Sequence, residues 1–393
     1  YFKKMDWENS IKYYNKILRN EKDKYKIFSN IGFAYFKLGE IKKSIDFYKK
    51  SIEVNSNFEI AYNNLAISYI ELGLYEEACD IFLKLLGINK NNFFAQKNLI
   101  YLFNFIEPEN IKDHPLLEIN SKIKNVVNNL DFNDFKKTHN LKKILIESDE
   151  IIQKHYKNLA YEETQIYRKN SKDLNCKRHF KIFNNFNVIP KFCFSCFKVQ
   201  IYLKNVVDLI KLYLIFDNIN LKKNNIRKCV VELRNNVKGN YKGYIYCEGL
   251  EDAKQTKGKI ENLLTDDNFE NYKIDIKHGC TEYYKAYPKF QNINLNGDEE
   301  ILIYDKSWKQ KEDLIDKLEP MRSEINKKVW LKSKRGINLS DVLIIKNWIN
   351  YAYFIGDVSY KKIYDKKINN SFISNALHNQ LNFRINDLKQ QDY

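Results

Sequence analysis

Residues 25–92 read YKIFSNIGFAYFKLGEIKKSIDFYKKSIEVNSNF over 25–58 and EIAYNNLAISYIELGLYEEACDIFLKLLGINKNN over 59–92. Set one beneath the other at a step of 34, the same residue classes recur: Phe28/Tyr62, Ile31/Leu65, Gly32/Ala66, Tyr35/Tyr69, Gly39/Gly73, Ser44/Ala78 and Tyr48/Phe82. A period of 34 is the length of one helix–turn–helix unit. The first half of each copy places apolar residues on one helical face. A glycine then follows, the residue that best accepts the left-handed conformation beyond a helix C-terminus. The second half, 41–54 or 75–88, supplies a second helix. Small residues at 32/66 and 44/78 predict that the two helices approach closely.

This pattern resembles the tetratricopeptide repeat. Partial copies flank it. Trp7, Ser10, Tyr14 and Leu18 keep register with the second helix, and Leu99, Ile100 and Phe103 with the first. The proline usual near the end of each unit is missing; Ser56 and Lys90 stand there. The resemblance covers residues 1–106 and implies an α-solenoid that binds a protein or peptide partner along a groove lined by the first helices. It implies contacts from Lys26, Ser29, Asn30, Phe33 and Lys37 in one copy, from Ile60, Asn63, Asn64, Ile67 and Glu71 in the next, and from Asn98. Asparagine at the shared position 30/64/98 is implied to hydrogen-bond the ligand backbone. The chain opens at Tyr1 with a second helix but no first, so it is expected to be a piece of a longer array.

A chain of 393 residues predicts two or three domains. Hydrophobic residues at 44% suffice for real cores, yet no run approaches the roughly 18 apolar residues of a membrane span. The best run, 206–216, is broken by Asp208 and Lys211, so no membrane is expected. Seven cysteines, an odd number, with no visible secretory signal, predict reduced thiols and a cytoplasmic location. The net charge is +16, and residues 171–250 carry 15 basic against 5 acidic side chains. Such a field attracts a polyanion, nucleic acid, acidic protein or anionic metabolite; the competing reading is a solvated basic face. The expected anion contacts are Lys177, Arg178, Arg227, Lys228 and Arg234. Tyr202, Tyr241 and Tyr244 would offer stacking to a single strand.

The fold expected is multidomain, α and α+β. After the repeats, 107–170 reads as a helical cap or linker, with helices at 111–130 and 141–156 and an extension over 157–169. Residues 171–290 read as a basic α+β domain. Alternation marks strands at 198–203, 227–233, 243–247 and 272–277, and helices fall at 206–216 and 250–264. That order, strand–helix–strand–strand–helix–strand, is the split βαβ, ferredoxin-like arrangement. Residues 291–393 read as α-rich: a short edge strand at 301–304, then helices at 308–318, 321–330 and 340–354. Ser340 or Asp341 is the expected cap of the last, Gly356 its stop, and 385–393 a polar tail without order.

The sharpest chemical signal is Cys176-x2-His179 followed by Cys193-x2-Cys196. Two such pairs supply the four soft donors of a tetrahedral zinc site, so Cys176, His179, Cys193 and Cys196 are candidate metal ligands. If Cys229, Cys247 and Cys280 converge on the last two, an iron–sulfur cluster becomes the alternative. Plain buried thiols, or redox or catalytic cysteines paired with His179 or His278, are the other readings. Cys79 falls in a repeat helix and is expected in the core. No phosphate loop, dinucleotide fingerprint, nucleophile elbow or HExxH motif is present. Two function classes follow. One is an interaction scaffold, with a repeat groove and a basic, zinc-stabilised domain for an anionic ligand or second macromolecule. The other is a metal- or thiol-dependent enzyme whose repeats recruit substrate.

Overall fold

The computed structural model describes residues 6–18, 22–108, 114–128, 137–157, 159–168, 174–223, 225–266, 269, 271–293, 300–318, 336–366 and 371–390. They form two compact units, the first ending at Ser121 and the second beginning at Lys122. None of the described helices is long and apolar enough to cross a membrane.

The first unit is built from antiparallel helix pairs: α1 (Trp7–Ile17), α2 (Lys24–Leu38), α3 (Ile41–Val54), α4 (Glu59–Glu71), α5 (Tyr75–Ile88) and α6 (Phe93–Leu102). Gly39 ends α2 at φ 84° and Gly73 follows α4 at φ 75°, both left-handed as their repeat position demands. The expected close approach is present, since a Cβ on Gly32 would lie 2.9 Å from the Tyr48 ring. Tyr48, Ala66, Ala78, Cys79 and Phe82 are all buried. Ser51 Oγ donates to the Tyr25 carbonyl at 2.7 Å, tying α3 back to α2. Asn89 and Asn92 donate to the Glu59 carboxylate at 3.0 and 2.6 Å, which ties the end of α5 to the start of α4. Helix α7 (Pro115–Asn128) follows and opens on proline, whose missing N–H costs nothing in a first turn.

The second unit contains α8 (Thr138–Gln153), β1 (Gln165–Arg168), α9 (Cys176–Phe186), β2 (Cys196–Leu203), α10 (Val206–Asn218), β3 (Arg227–Val231), β4 (Tyr241–Glu248), α11 (Leu250–Asp266), β5 (Lys273–His278), α12 (Trp308–Leu318), α13 (Leu339–Ile355), α14 (Ser371–Leu377) and α15 (Leu381–Lys389). From β2 to β5 the elements run strand–helix–strand–strand–helix–strand, as the alternation predicts. The sheet order is β1-β3-β4-β2-β5, with every neighbouring pair antiparallel. Helix α10 is buried along nearly its whole length, Asp208 and Asp217 included. It lies so close to the sheet that a Cβ on Gly243 would come 2.4 Å from Leu212 Cδ2.

Several expectations are corrected. The helical extension over 157–169 ends in β1, a strand whose buried Ile166 and Arg168 alternate with exposed neighbours. Residues 301–304 form no strand; Tyr304 and Trp308 instead stack edge-on in an aromatic cluster with Phe194. Helix α13 is capped by Asn338, two residues before Ser340, in a capping box with Asp341, and Gly356 stops it at φ 85°. Residues 385–389 of the polar tail are the second half of α15. Its Arg384 is fully buried, donating to the carbonyls of Val237 and Arg234, while Asp387 accepts from Gly239 N at 2.8 Å. The helix expected at 321–330 lies outside the described residues.

Residues 336–390 belong to the same unit as the sheet. Trp348 Nε1 donates to the Thr164 carbonyl at 2.8 Å, and Asn347 to the carbonyls of Tyr161 and Glu163, so α13 pins the approach to β1. Arg168, buried, bridges Asp217 at 2.9 Å and Asp341 at 2.8 Å. Removing one partner of such a pair strands a buried charge, which costs about 3–5 kcal/mol.

Candidate functional site

Helices α2, α4 and α6 repeat one face at steps of 34. Positions 26, 30, 33 and 37 fall at i, i+4, i+7 and i+11, a single stripe of a helix. Lys26, Ile60 and Phe94 share its first place and all are exposed, Ile60 at 57% and Phe94 at 66%. The Asn64 carboxamide makes no hydrogen bond with other described residues. Asn30 bonds to Tyr14, and Asn98 donates to the Phe94 carbonyl at 2.9 Å. Lys37 Nζ sits 5.0 Å over the Phe33 ring. Asn63, Ile67 and Glu71 are half-buried, and Asn63 Oδ1 is buried without a donor among the described residues. Ser29 does not line this face. It is 4% exposed, because it stands some 60° round the helix from Lys26.

The cysteines divide between two faces of the sheet. Cys176 and His179 lie one turn apart on α9, not in a knuckle, and Cys193 lies in a 3₁₀ turn before β2. Cys176 packs against Cys280 and His179, and Cys280 against Cys193, whose Sγ is 3.8 Å from the Tyr283 hydroxyl. Contact with Cys280, reinforced by burial, pushes the Cys176 thiol well up, with His179 opposing. Cys280 is drawn down by Cys176, but Cys193 and burial outweigh that and raise it to about 12. Burial raises Cys196 to about 11. These thiols are therefore protonated near neutrality and poor nucleophiles. Cys280, rather than Cys196, joins the other three predicted donors. Among the described residues, no group of three or more histidine, cysteine, aspartate or glutamate side chains is placed to hold a metal ion. The convergence needed for an iron–sulfur cluster is absent: Cys229 and Cys247 share the face of Phe197 and Gly243, opposite Cys196. His278 is sandwiched between Phe197 and Phe290, and burial lowers it to about 4.

The five basic residues expected to meet an anion are not gathered. Arg227 is fully buried, donating to the carbonyls of Phe216 and Ile219 at 2.9 and 2.6 Å; it caps α10 from within the core. Arg178 pairs with Asp316 and Glu312 of α12, and Arg234 pairs with Glu232. Lys177 is exposed on α9. Tyr241 faces α10 and α13, with its hydroxyl on Asp357 at 2.7 Å. Only Lys228 and Arg234 come near one another, on the side of the sheet away from α10.

That side holds what the charge count did not single out. Register aligns Lys198 with Tyr246 and Lys277, Gln200 with Tyr244 and Asp275, Tyr244 with Lys228, and Lys228 with Tyr167. The result is a polar, aromatic and basic face. Lys198 is only 8% exposed, and its Nζ donates to the Gly279 carbonyl at 3.1 Å. It lies 5.5 Å from the centre of the Tyr244 ring, and Lys228 Nζ lies 5.2 Å from the same ring. Glu232, the nearby carboxylate, is taken by Arg234 and Lys242, both at 2.8 Å. Burial opposes its ionisation, but these two cations hold it down at about 2. Burial lowers Lys198 to about 8, with Glu282 partly opposing. It lowers Lys228 as well, helped by Arg234. The signal was present in the alternation, since Lys198, Gln200 and Tyr202 are every second residue of one strand.

Family models of the tetratricopeptide repeat match residues 25–58 and 47–80. Residues 25–80 are a tetratricopeptide-repeat segment. The second match begins inside α3 and ends inside α5, so the two together span α2 to α5. No curated protein matches the chain. Tetratricopeptide repeats mark a protein-interaction scaffold at a coarse level, and the matched residues lie within the first unit.

Proposed function

We propose that the chain is an adaptor that grips a partner polypeptide along α2 and α4 of its tetratricopeptide segment and the following α6, and that its α+β unit carries a second, anionic ligand. The observation behind the first half is the ladder of equivalent positions. Exposed Ile60 and Phe94 stand one repeat apart, and the uncommitted Asn64 carboxamide lies beside them on the same stripe. Apolar anchors with an adjacent amide suit a peptide, whose side chains need pockets and whose backbone needs partners. The order β2-α10-β3-β4-α11-β5, with β3-β4-β2-β5 as neighbours, supports a ferredoxin-like reading of the second unit, to which β1 adds a strand. For a nucleic-acid partner the support is weak, because the guanidiniums of Arg178, Arg227 and Arg234 are already engaged.

Partner capture by the full chain tests the groove. Partners retained by the wild type and identified by mass spectrometry should be lost at least tenfold in Asn64→Ala and in Phe94→Asp. The melting temperature should stay within about 2 °C, since surface substitutions of this kind change stability little. Capture unchanged in both variants removes the groove assignment.

A further inference from the structure

We propose that Lys198 and Lys228, which flank the Tyr244 ring on the sheet face away from α10, together bind one anionic group, a phosphate or carboxylate borne by a small molecule. This deepens the anionic-ligand half of the reading above and is independent of the repeat groove.

The argument begins with unmet donors. An ammonium has three N–H groups. Lys198 Nζ uses one on the Gly279 carbonyl, and Lys228 Nζ has only a long 3.3 Å contact to Gln165 Oε1. Among the described residues neither forms an ion pair. Burying a charge is costly unless it is paired and hydrogen-bonded, and the sheet buries Lys198 while placing a second lysine over the same tyrosine. Glu232 cannot serve both, because Arg234 and Lys242 already hold it, and Glu282, though it favours the charge of both lysines, forms no ion pair with either. The missing partner is an acceptor with several oxygens.

The surroundings define its size. Tyr244, at 4% exposure, forms the floor, with Tyr246 and Tyr167 beside it. Cys176 and Cys280 lie near this face, within electrostatic reach of Tyr246 and of the lysines. Arg234 and Glu282, 3.9 Å apart, are each about half exposed. A single-stranded nucleic acid needs exposed rings to stack upon, and the Tyr244 ring is not exposed. A compact anion fits this description; an extended polymer does not.

The test uses the full chain at low ionic strength, titrated separately with inorganic phosphate and with acetate, and followed by calorimetry and melting temperature. Saturable binding of at least one anion is expected, with a melting temperature that rises with its concentration. Which anion saturates decides between phosphate and carboxylate. Lys198→Met and Lys228→Met should each weaken binding at least tenfold and leave partner capture by the repeats unchanged. Without ligand, Lys198→Met should melt above the wild type, because it removes an unpaired buried charge. The proposal is overturned if neither anion saturates, or if both variants bind like the wild type. It is also overturned if Lys198→Met melts below the wild type, which would make the lysine structural. Salt-sensitive binding of a single-stranded oligonucleotide without phosphate binding would replace it with a polymer site.

Discussion

Lys198 shows how one side chain can carry a cost that its own element does not explain. Alternation puts it on the polar face of β2, and the packing around Gly279 and Tyr244 then excludes water from it. The charged groups that face it are Glu282, which favours its charge, and Lys228 and Arg234, which oppose it. Its pKa falls from 10.5 to about 8. Below pH 8 the native and unfolded chains both hold the proton, and the native state bears the full penalty, on the order of 3 kcal/mol. Between pH 8 and 10.5 the unfolded chain holds more protons than the native one, so this lysine makes stability rise with pH. Denaturant midpoints measured from pH 7.5 to 10 should therefore climb in the wild type relative to Lys198→Met. Parallel curves for the two would refute the assignment.

Among the elements, α10 and β4 show why a glycine can matter more than a large residue. Gly243 faces Leu212 and Phe216, and the missing side chain is what lets the helix lie on the strand. Gly243→Ala should push Leu212 and Phe216 out of buried positions. A loss of about 1–3 kcal/mol is expected, typical of overpacking, with thermal unfolding as the measurement. An unchanged melting temperature would mean that the helix yields freely. This scale was also the most legible one in the sequence. Repeat helices announced themselves by period, and β2 to β5 by alternation, because each buries a face over enough residues to leave a pattern. β1 was missed because four residues leave almost none. α15 was missed because Arg384 and Asp387 look like solvent-facing charges until their partners at Arg234, Val237 and Gly239 are known. The same blindness misdirected the anion set. Composition counts Arg178, Arg227 and Arg234 as free charge, and only the fold reveals Asp316, the end of α10 and Glu232 as their partners. Asn30, Asn64 and Asn98, by contrast, were readable as one position because repetition does the aligning.

For the whole molecule, the sheet order has a consequence beyond ligand binding. β5 is the last strand on one side among the described residues. A terminal strand offers its outer backbone groups to any other chain that can pair with it. The inward residues of β5, Ile274 and Ile276, are buried, while Lys273, Asp275 and Lys277 occupy the alternate places. Asp275 lies 3.4 and 3.5 Å from the two lysines, and so leaves the strand with one net positive charge. Two copies brought edge to edge would set these lysines against each other in a zone of low dielectric. Part of the chain's basic excess thus acts as a barrier to self-pairing. Replacing Lys273 and Lys277 together with valine should leave an apolar, high-β-propensity border, and light scattering should then detect concentration-dependent assembly. A double variant that stays monodisperse would mean that some other feature keeps this border from pairing.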